Sequence, residues 1–326
     1  MNRLKLAVTV ETVIIAALLI IVAILFFRSP SVPTSNTISS PPSDLQFISP
    51  SIYAGILPPQ SYLIVNYQPL QNQIQNYITE NNLNVSLYVL NLRDGASFGI
   101  GEDDHFAPAS LGKMFVAVVI MKKVEEGKIS LNTILPINDS YRDSSSGELY
   151  AQPIMNLSVR DLMHWMLSDS DNTAARVLGD YVSGSDLQNL SLYLNYFNDY
   201  QDYDSNNLYT LTPKSTSNLF LSIYYSTILK PADSELILSD LTNTSFNIKQ
   251  YADLPENITV AQKYGVIATT GDQQFHDCGI MYIQTRRVFY CVMTRNLDEQ
   301  DASVTIGNIV NKIYVYSMTN TGNINL

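Results

Sequence analysis

Apolar residues recur with two different spacings along the chain, and these spacings predict the first secondary-structure elements. Residues 71–82 repeat apolar positions every three to four residues, as expected for one face of a helix. Residues 85–92 form a strand-like run, and the following Asp94-Gly95 is a dipeptide typical of a hairpin turn. A second strand at 96–100 and a helix over 108–127 complete this part of the prediction.

The rest of the chain continues with helix-like spacing and then changes to strand-like runs. Helices are predicted at 158–167, 172–182, 185–197 and 212–229. Strands are predicted at 258–264, 278–285 and 288–295, before a last helix at 302–316. This order predicts an α+β fold, in which both ends of the chain build a three-layer α/β/α sheet domain and an all-helical region is inserted between them.

The two cysteines, Cys278 and Cys291, lie in the second and third of the late strands. A turn at Arg286-Arg287 would join these strands. The two cysteines would then share a face but sit about four residues apart along it, too far for a disulfide. Two buried thiols are therefore expected, although a different strand register would change this expectation.

An apolar stretch near the amino terminus predicts a membrane-spanning helix. Residues 6–27 would reach about 33 Å as a helix, enough to cross the hydrocarbon core of a bilayer. Arg3 and Lys5 precede the stretch, so the positive-inside rule leaves the amino terminus in the cytoplasm and exports the rest. A cleaved signal peptide is the alternative; an uncleaved anchor is preferred because the stretch is long and no small-residue cleavage site follows it.

Composition then divides the chain into three parts. Residues 1–28 form the predicted anchor, and residues 29–60 are rich in Ser and Pro with almost no charge, as is typical of an extended tether. Residues 61–326 form the predicted folded domain. The expected location is the cell membrane, crossed once, with the folded domain outside the cytoplasm as a monomer.

Charge and composition exclude several classes of function. The 326 residues carry 19 Lys and Arg against 30 Asp and Glu, a net charge of −11, which argues against nucleic-acid binding. The chain has only two cysteines, and its three histidines lie far apart in sequence. Neither a metal site nor a cofactor is therefore predicted.

Three short motifs carry candidate chemistry. In Ser110-Leu111-Gly112-Lys113 a hydroxyl and an amine stand three residues apart at the start of a predicted helix, and so share one face. A partly desolvated lysine can lose its proton and act as a base for a serine hydroxyl. Ser170-Asp171-Asn172 opens another predicted helix, and Lys263-Tyr264-Gly265 ends a predicted strand. Taken singly, each motif also has an ordinary explanation as a chance pair, a helix cap or a bend.

The order and spacing of the motifs resemble the active-site serine penicillin-recognising enzymes, above all the class A β-lactamases. In that family S-x-x-K opens the central helix, S-D-N lies in the helical region and K-T-G lies on a strand beside the pocket. The flanking segments 106–110, 170–175 and 276–280 are also similar to family sequences. The resemblance covers about residues 70–317 and implies a β-lactamase/transpeptidase-like fold.

The resemblance also implies catalytic roles for four residues. Ser110 would be the acylated nucleophile, and Lys113 would accept its proton. Ser170 and Lys263 would pass a proton to the leaving nitrogen and keep the site positive for an anionic substrate. The implied substrate is a β-lactam or a related peptidoglycan-like amide.

The remaining matched positions are implied to bind the substrate. Asn172 would hydrogen-bond its amide side chain, and Tyr264 and Gly265 would contact it from the strand. The backbone N–H groups of Ser110 and Val266 would form the oxyanion hole.

Two departures from the family pattern change the expected kinetics. Tyr264 stands where the family has a threonine or serine, so its phenol either reaches the ligand from farther out or occupies space. The family's water-activating glutamate has no counterpart in residues 190–211, where Asp199, Asp202 and Asp204 are the only acids. Without an efficient base, an acyl-enzyme could form quickly and hydrolyse slowly.

Three functions therefore remain in competition. The leading hypothesis is a membrane-anchored serine hydrolase that opens β-lactams through acylation of Ser110. The missing glutamate and the predicted export favour a D-alanyl-D-alanine carboxypeptidase or penicillin-binding protein as the second. The third is a catalytically idle module that keeps the fold for binding.

Overall fold

A computed structural model describes residues 45–49, 66–194, 210–269, 271–283 and 286–319. Its first elements agree with the sequence pattern: α1 (Gln68–Glu80), β1 (Asn84–Asn91), β2 (Ser97–Ile100) and α2 (Gly112–Glu125). The predicted turn glycines are in place as well. Gly95 has φ 77° between β1 and β2, and Gly127 has φ 71° just after α2, where a side chain would be strained.

The helical region follows α2 and contains a short strand pair that the sequence pattern did not predict. Its elements are β3 (Ile134–Pro136), β4 (Asn156–Ser158), α3 (Val159–Ser168), α4 (Asn172–Gly179), α5 (Gly184–Tyr193), α6 (Pro213–Tyr224), α7 (Pro231–Asp240) and α8 (Ile248–Tyr251). Ser158 caps α3 as expected, because its side chain accepts the backbone N–H of Asp161. The predicted helix at 212–229 ends at Tyr224, and α7 was not predicted.

Three long strands and a helix complete the chain: β5 (Thr259–Thr269), β6 (Asp272–Ile283), β7 (Arg286–Arg295) and α9 (Glu299–Thr319). The three strands form one antiparallel five-stranded sheet with β1 and β2, in the order β2-β1-β7-β6-β5. The sheet is thus built from both ends of the chain around an inserted helical region, as the sequence predicts. The late strands are longer than expected, and β5 lies at the edge.

The strand register corrects one expectation. Ile283 pairs with Arg286 and Tyr282 pairs with Arg287, so Arg286-Arg287 belongs to β7 and is not the turn. Cys278 therefore faces Cys291 directly, and the two form a disulfide. The expectation of two free thiols was wrong because it rested on the misplaced turn.

Two apolar cores on opposite faces of the sheet produce three layers. One core joins the sheet to the helical region and contains Ala261, Ile280, Phe289 and Met293 from the strands. The other joins the sheet to α1, α8 and α9 and contains Val260, Met281, Tyr290 and Val292. Successive residues of each strand alternate between the two cores, as the pleat of a sheet requires. The strand residues of the candidate site follow the same alternation.

A short segment ahead of α1 lies against the domain. The backbone N–H groups of Phe47 and Ile48 donate to the carboxylate of Glu235 in α7 at 2.7 and 2.9 Å. The N–H of Gln46 donates to the same carboxylate, and the phenol of Tyr282 donates to the Phe47 carbonyl oxygen at 2.7 Å. One buried carboxylate therefore holds three consecutive N–H groups.

Within the part of the chain that the structure describes, no helix has both the length and the apolar character needed to span a bilayer. Residues 6–27, on which the anchor prediction rests, lie outside that part. The anchor stays a prediction.

Candidate active site

Ser110 lies in a 3₁₀ turn, Ala109–Leu111, that leads directly into α2. The turn begins with Ala109 at φ 46°, a left-handed conformation that costs a non-glycine residue roughly 1–2 kcal/mol. Such outliers persist where the surrounding structure holds them, and they cluster at functional sites. The turn leaves Ser110 half-buried at the amino end of α2, whose dipole favours negative charge there.

Strand β6 fixes the segment that enters this turn. The ring Nε2 of His276 lies 3.0 Å from the Ala107 carbonyl oxygen, and the Gln274 side chain accepts the Ala107 N–H at 3.2 Å. The Phe106 ring packs edge-on against the His276 ring, with centroids 5.4 Å apart. His276 belongs to the family-like segment 276–280, but no pattern in the sequence indicates its contact with the chain ahead of Ser110.

Lys113 lies in the first turn of α2 and points inward, with 8% of its surface exposed. Its Nζ lies 3.2 Å from Ser170 Oγ and also donates to the Ser170 carbonyl oxygen. Burial lowers the pKa of Lys113 to about 8, against the opposing attraction of Asp171 and Asp143. The neutral amine, which can accept a proton, is therefore accessible near physiological pH.

Ser170 is fully buried and has φ 54°, a second strained non-glycine position at this site. The next residue, Asp171, caps α4 by accepting the Ala174 N–H at 2.8 Å. Its other carboxylate oxygen accepts the Leu149 N–H at 2.9 Å, which ties the 143–149 loop to the Ser170 turn. Burial raises the pKa of Asp171 above its usual range.

Asn172 lies at the start of α4, and its side-chain amide donates to Ser145 Oγ at 2.7 Å. The Ser145 hydroxyl donates in turn to Asp143, whose carboxylate pairs with Arg176 at 2.5 Å. No pattern in the sequence singles out Ser145, because it is one of three consecutive serines in a loop. This chain of contacts fixes the orientation of the Asn172 amide.

Lys263 lies on β5, completely buried, and its Nζ is 4.5 Å from the Tyr264 ring centroid. Nζ has no hydrogen-bond partner among the described residues. Burial, followed by repulsion from Lys113, lowers the pKa of Lys263 well below its usual range, while Asp277 and Asp169 oppose the shift. The two lysines therefore share one electrostatic environment.

Gly265 brings β5 against the Ser110 turn. A Cβ atom at Gly265 would lie 3.1 Å from the Ser110 backbone nitrogen and 3.0 Å from the Ala109 side chain. A side chain at this position would require the Ser110 turn to move by a few tenths of an ångström. Val266, the next residue on β5, is half-buried and packs with the core on the other face of the sheet.

The four candidate catalytic residues are thus linked in space. Lys113 forms a hydrogen bond with Ser170, and the charge of Lys113 lowers the pKa of Lys263. Gly265 of β5 packs closely against the backbone of Ser110. Asn172 and Tyr264 border the same region through Ser145 and Lys263. The roles of these residues stay predictions, because geometry alone assigns no role. The three aspartates considered as substitutes for the missing glutamate, Asp199, Asp202 and Asp204, lie outside the described residues.

A second Ser, His and Asp cluster is structural. Asp240 Oδ1 and Ser168 Oγ both lie near Nδ1 of His164, at 2.9 and 3.3 Å. A catalytic histidine uses its two nitrogens for the two partners, which this arrangement does not allow. Arg160 also holds Asp240 with two hydrogen bonds of 2.7 and 2.8 Å, so the cluster ties α3 to α7.

Comparisons with known proteins agree with this geometry. The model of the β-lactamase enzyme family matches residues 69–317. A β-lactamase of Bacteroides uniformis is 24% identical over 277 residues, 75% of this chain and 90% of that protein. A shorter match, 21% identical over 26% of this chain and 22% of the relative, is to the D-alanyl-D-alanine carboxypeptidase DacF of Bacillus subtilis (strain 168).

Solved structures of a protein named PBP-A are similar as well. One covers 80% of this chain and 98% of its own, with 26% identity and a TM-score of 0.67. Another is an acyl-enzyme complex of a PBP-A mutant with penicillin G, with 27% identity, a TM-score of 0.66, and coverage of 79% of this chain and 98% of its own.

Proposed function

The chain belongs to the β-lactamase enzyme family, and we propose that it is a serine hydrolase that opens β-lactams and related cell-wall amides by acylation of Ser110. The observation that carries this proposal is the contact of Lys113 Nζ with Ser170 Oγ at 3.2 Å, one helical turn from Ser110 and beside β5. A base, a proton carrier and a nucleophile are the parts that acyl transfer to serine needs.

The geometry supports the following acylation sequence. The neutral amine of Lys113 takes the proton of Ser110 Oγ, and the oxygen attacks the amide carbon. The oxyanion that forms accepts hydrogen bonds from the N–H groups of Ser110 and Val266. Ser170 passes a proton from Lys113 to the leaving nitrogen, the C–N bond breaks, and an ester on Ser110 results. Lys263, whose pKa is lowered well below its usual range, shares the electrostatic environment of Lys113 and takes part in this proton relay.

Substrate orientation is assigned to Asn172, Tyr264 and Gly265. The Asn172 amide, oriented by Ser145, bonds the amide side chain of the substrate. Glycine at 265 lets β5 lie against the Ser110 turn, which places the strand beside the nucleophile where it can contact the substrate.

Release of the acyl group is the step in which β-lactamase and penicillin-binding behaviour differ. Water must attack the ester on Ser110, and no glutamate occurs in residues 190–211 to activate it. We therefore expect a long-lived acyl-enzyme with β-lactams. A D-alanyl-D-alanine carboxypeptidase is the second candidate, favoured by this absence and by the match to DacF.

The location is part of the proposal. Residues 6–27 anchor the chain in the cell membrane, and the catalytic domain acts as a monomer outside the cytoplasm. The Cys278–Cys291 disulfide supports export, since disulfides are rare in cytosolic proteins.

Intact-mass measurement tests the acylation directly. The full chain in detergent is incubated with benzylpenicillin, with the Ser110→Ala variant as the control. An adduct of one penicillin on the native chain and none on the variant is expected. Loss of a chromogenic cephalosporin would identify a β-lactamase, and D-alanine release from a peptide with the cephalosporin left intact would identify a carboxypeptidase. An idle module would show none of these.

A further inference from the structure

Two side chains donate to the carbonyl oxygen of Ser170. Lys113 donates to this oxygen through Nζ, and the hydroxyl of Ser146 donates to it at 2.9 Å. A carbonyl oxygen has two lone pairs, so the two donors together use its full capacity. Ser146 belongs to the 143–149 loop, and the Ser170 oxygen is therefore the point at which this loop meets the candidate base.

Ser146 also holds the other end of the same turn. Its own carbonyl oxygen accepts the backbone N–H of Asn172 at 3.0 Å. One residue therefore bonds both the first and the third member of Ser170-Asp171-Asn172, and Ser170 has the left-handed φ of 54°. A non-glycine residue keeps such a conformation only where its surroundings hold it, and Ser146 is one of the residues that do so.

The 143–149 loop is fixed on both sides of Ser146. Ahead of Ser146, the backbone N–H of Asp143 donates to Thr173 Oγ1 at 3.0 Å. Beyond it, the carbonyl oxygens of residues 150 and 152 accept hydrogen bonds from the Arg142 guanidinium at 2.7 and 2.9 Å. Because both sides are anchored, the Ser146 hydroxyl meets the Ser170 carbonyl without having to order the loop first.

Sharing of the Ser170 oxygen affects the proton affinity of Lys113. A hydrogen bond from the ammonium form of a lysine stabilises that form over the neutral amine. The Ser146 hydroxyl draws electron density from the shared oxygen, which makes it a weaker acceptor for Lys113. Without this hydroxyl the oxygen would bind the ammonium more tightly, so Ser146 favours the neutral amine.

The other groups that face the Lys113 amine do not depend on the Ser146 side chain. Asp171 from α4 and Asp143 from the loop favour the ammonium, whereas Lys263 from β5 disfavours it when protonated. The two carboxylates are held by Arg176 and by backbone N–H groups. The Ser146 hydroxyl can therefore be removed while these three charges stay in place.

We propose that Ser146 is a positioning residue for acylation: its hydroxyl shares the Ser170 carbonyl oxygen with Lys113 and so keeps the Lys113 amine available to take the proton of Ser110. This inference rests on the proposed function. In the step concerned, the proton moves from Ser110 Oγ to Lys113 Nζ while the oxygen bonds to the acyl carbon. Ser146 acts through Ser170 and Lys113 and exchanges no proton itself.

The pH dependence of acylation tests this role. The rate at which benzylpenicillin acylates Ser110 is measured from pH 6 to 10 with the full chain in detergent. The native profile is expected to have its midpoint at the pKa of Lys113, about 8. Ser146→Ala should raise the midpoint by about 0.5 pH unit, within the contribution of one hydrogen bond. The rate would then fall about threefold at pH 7 and stay unchanged at pH 10.

Two variants of the same loop are the controls. Ser146→Thr keeps the hydroxyl and should keep the native midpoint. Ser144→Ala removes an exposed hydroxyl two residues away and should behave as the native chain. Equal melting temperatures show that the variants are folded. A midpoint in Ser146→Thr as high as that in Ser146→Ala would overturn the assignment to the hydroxyl.

The outcomes distinguish the inference from the function on which it rests. If benzylpenicillin does not acylate Ser110 of the native chain, the proposed function is overturned. If Ser110 is acylated but the midpoint in Ser146→Ala is the same as in the native chain, or lower, the role of Ser146 is overturned and the function stands. A rate that falls by the same factor at every pH also overturns this role, because a merely loosened loop would produce it.

Discussion

Removing the carboxylate of Glu235 is expected to release residues 45–49 from the domain. Glu235→Ala leaves three backbone N–H groups without an acceptor, and each hydrogen bond to a charged group contributes about 1.5–3 kcal/mol. The loss cannot reach the sum of the three, because the released segment can return its N–H groups to water. The loss of stability cannot exceed the free energy with which residues 45–49 bind to the domain. Burial of Ile48, which is 3% exposed, contributes about 1.5–3 kcal/mol of that free energy.

We therefore expect Glu235→Ala to cost about 2 kcal/mol, which for a domain of this size lowers the melting temperature by roughly 4–8 °C. Hydrogen exchange gives the local readout: the amides of residues 46–48 are protected in the native chain and exchange at least tenfold faster in the variant. Glu80→Gln, which removes a charge from the exposed end of α1, is the control. Amides 46–48 that exchange in the native chain as fast as in a free peptide would refute the reasoning.

Three other predictions follow from the site. Because the pKa of Lys113 is lowered to about 8, the rate of Ser110 acylation should rise nearly tenfold per pH unit up to about pH 8 and then level off. Stopped-flow kinetics measures this profile. A rate that does not change between pH 6 and 8 would contradict Lys113 as the base. Gly265→Val should reduce the rate of acylation at least about 100-fold with the melting temperature little changed, because the side chain would meet the Ser110 backbone. Gly112→Ala is the control and should have little effect on the rate, because the space around Gly112 is open. Burial raises the pKa of Asp277 to about 8, so the carboxyl takes up a proton when the chain folds between about pH 4 and 8. The free energy of unfolding should therefore fall as pH rises through this range, by up to about 1.4 kcal/mol per pH unit. Asp277→Asn should reduce this pH dependence, measured by urea unfolding at pH 5 and 8.

The sequence predicted the local parts of the site and left the long-range parts to the resemblance. Ser110 and Lys113 share a helix face because of spacing alone. Nothing local places Ser170 or Lys263 beside them, since each comes from a different element, and only the family pattern indicated their approach. Ser145 escaped notice for the same reason: its partner, Asn172, lies on another element.

Two errors have identifiable physical causes. The turn was placed at Arg286-Arg287 because two polar residues between apolar runs look like a turn, whereas both arginines are the first residues of β7. The buried polar residues of β6, such as His276 and Asp277, break the apolar alternation and hid the full length of that strand. Helix α7 carries Pro231 in its first turn, a start signal that was available and was not used.

The position of β7 has a consequence for the order in which the molecule can be assembled. It is the last strand in sequence, yet it lies between β1 and β6 at the centre of the sheet. The hairpin of β1 and β2 therefore has no neighbour to join until nearly the whole polypeptide has been synthesised. A chain interrupted between residues 264 and 286 would retain the serine, both lysines and the helical region, but no continuous sheet to hold them. We expect proteases to degrade such a chain, so that it does not persist as a weakened enzyme.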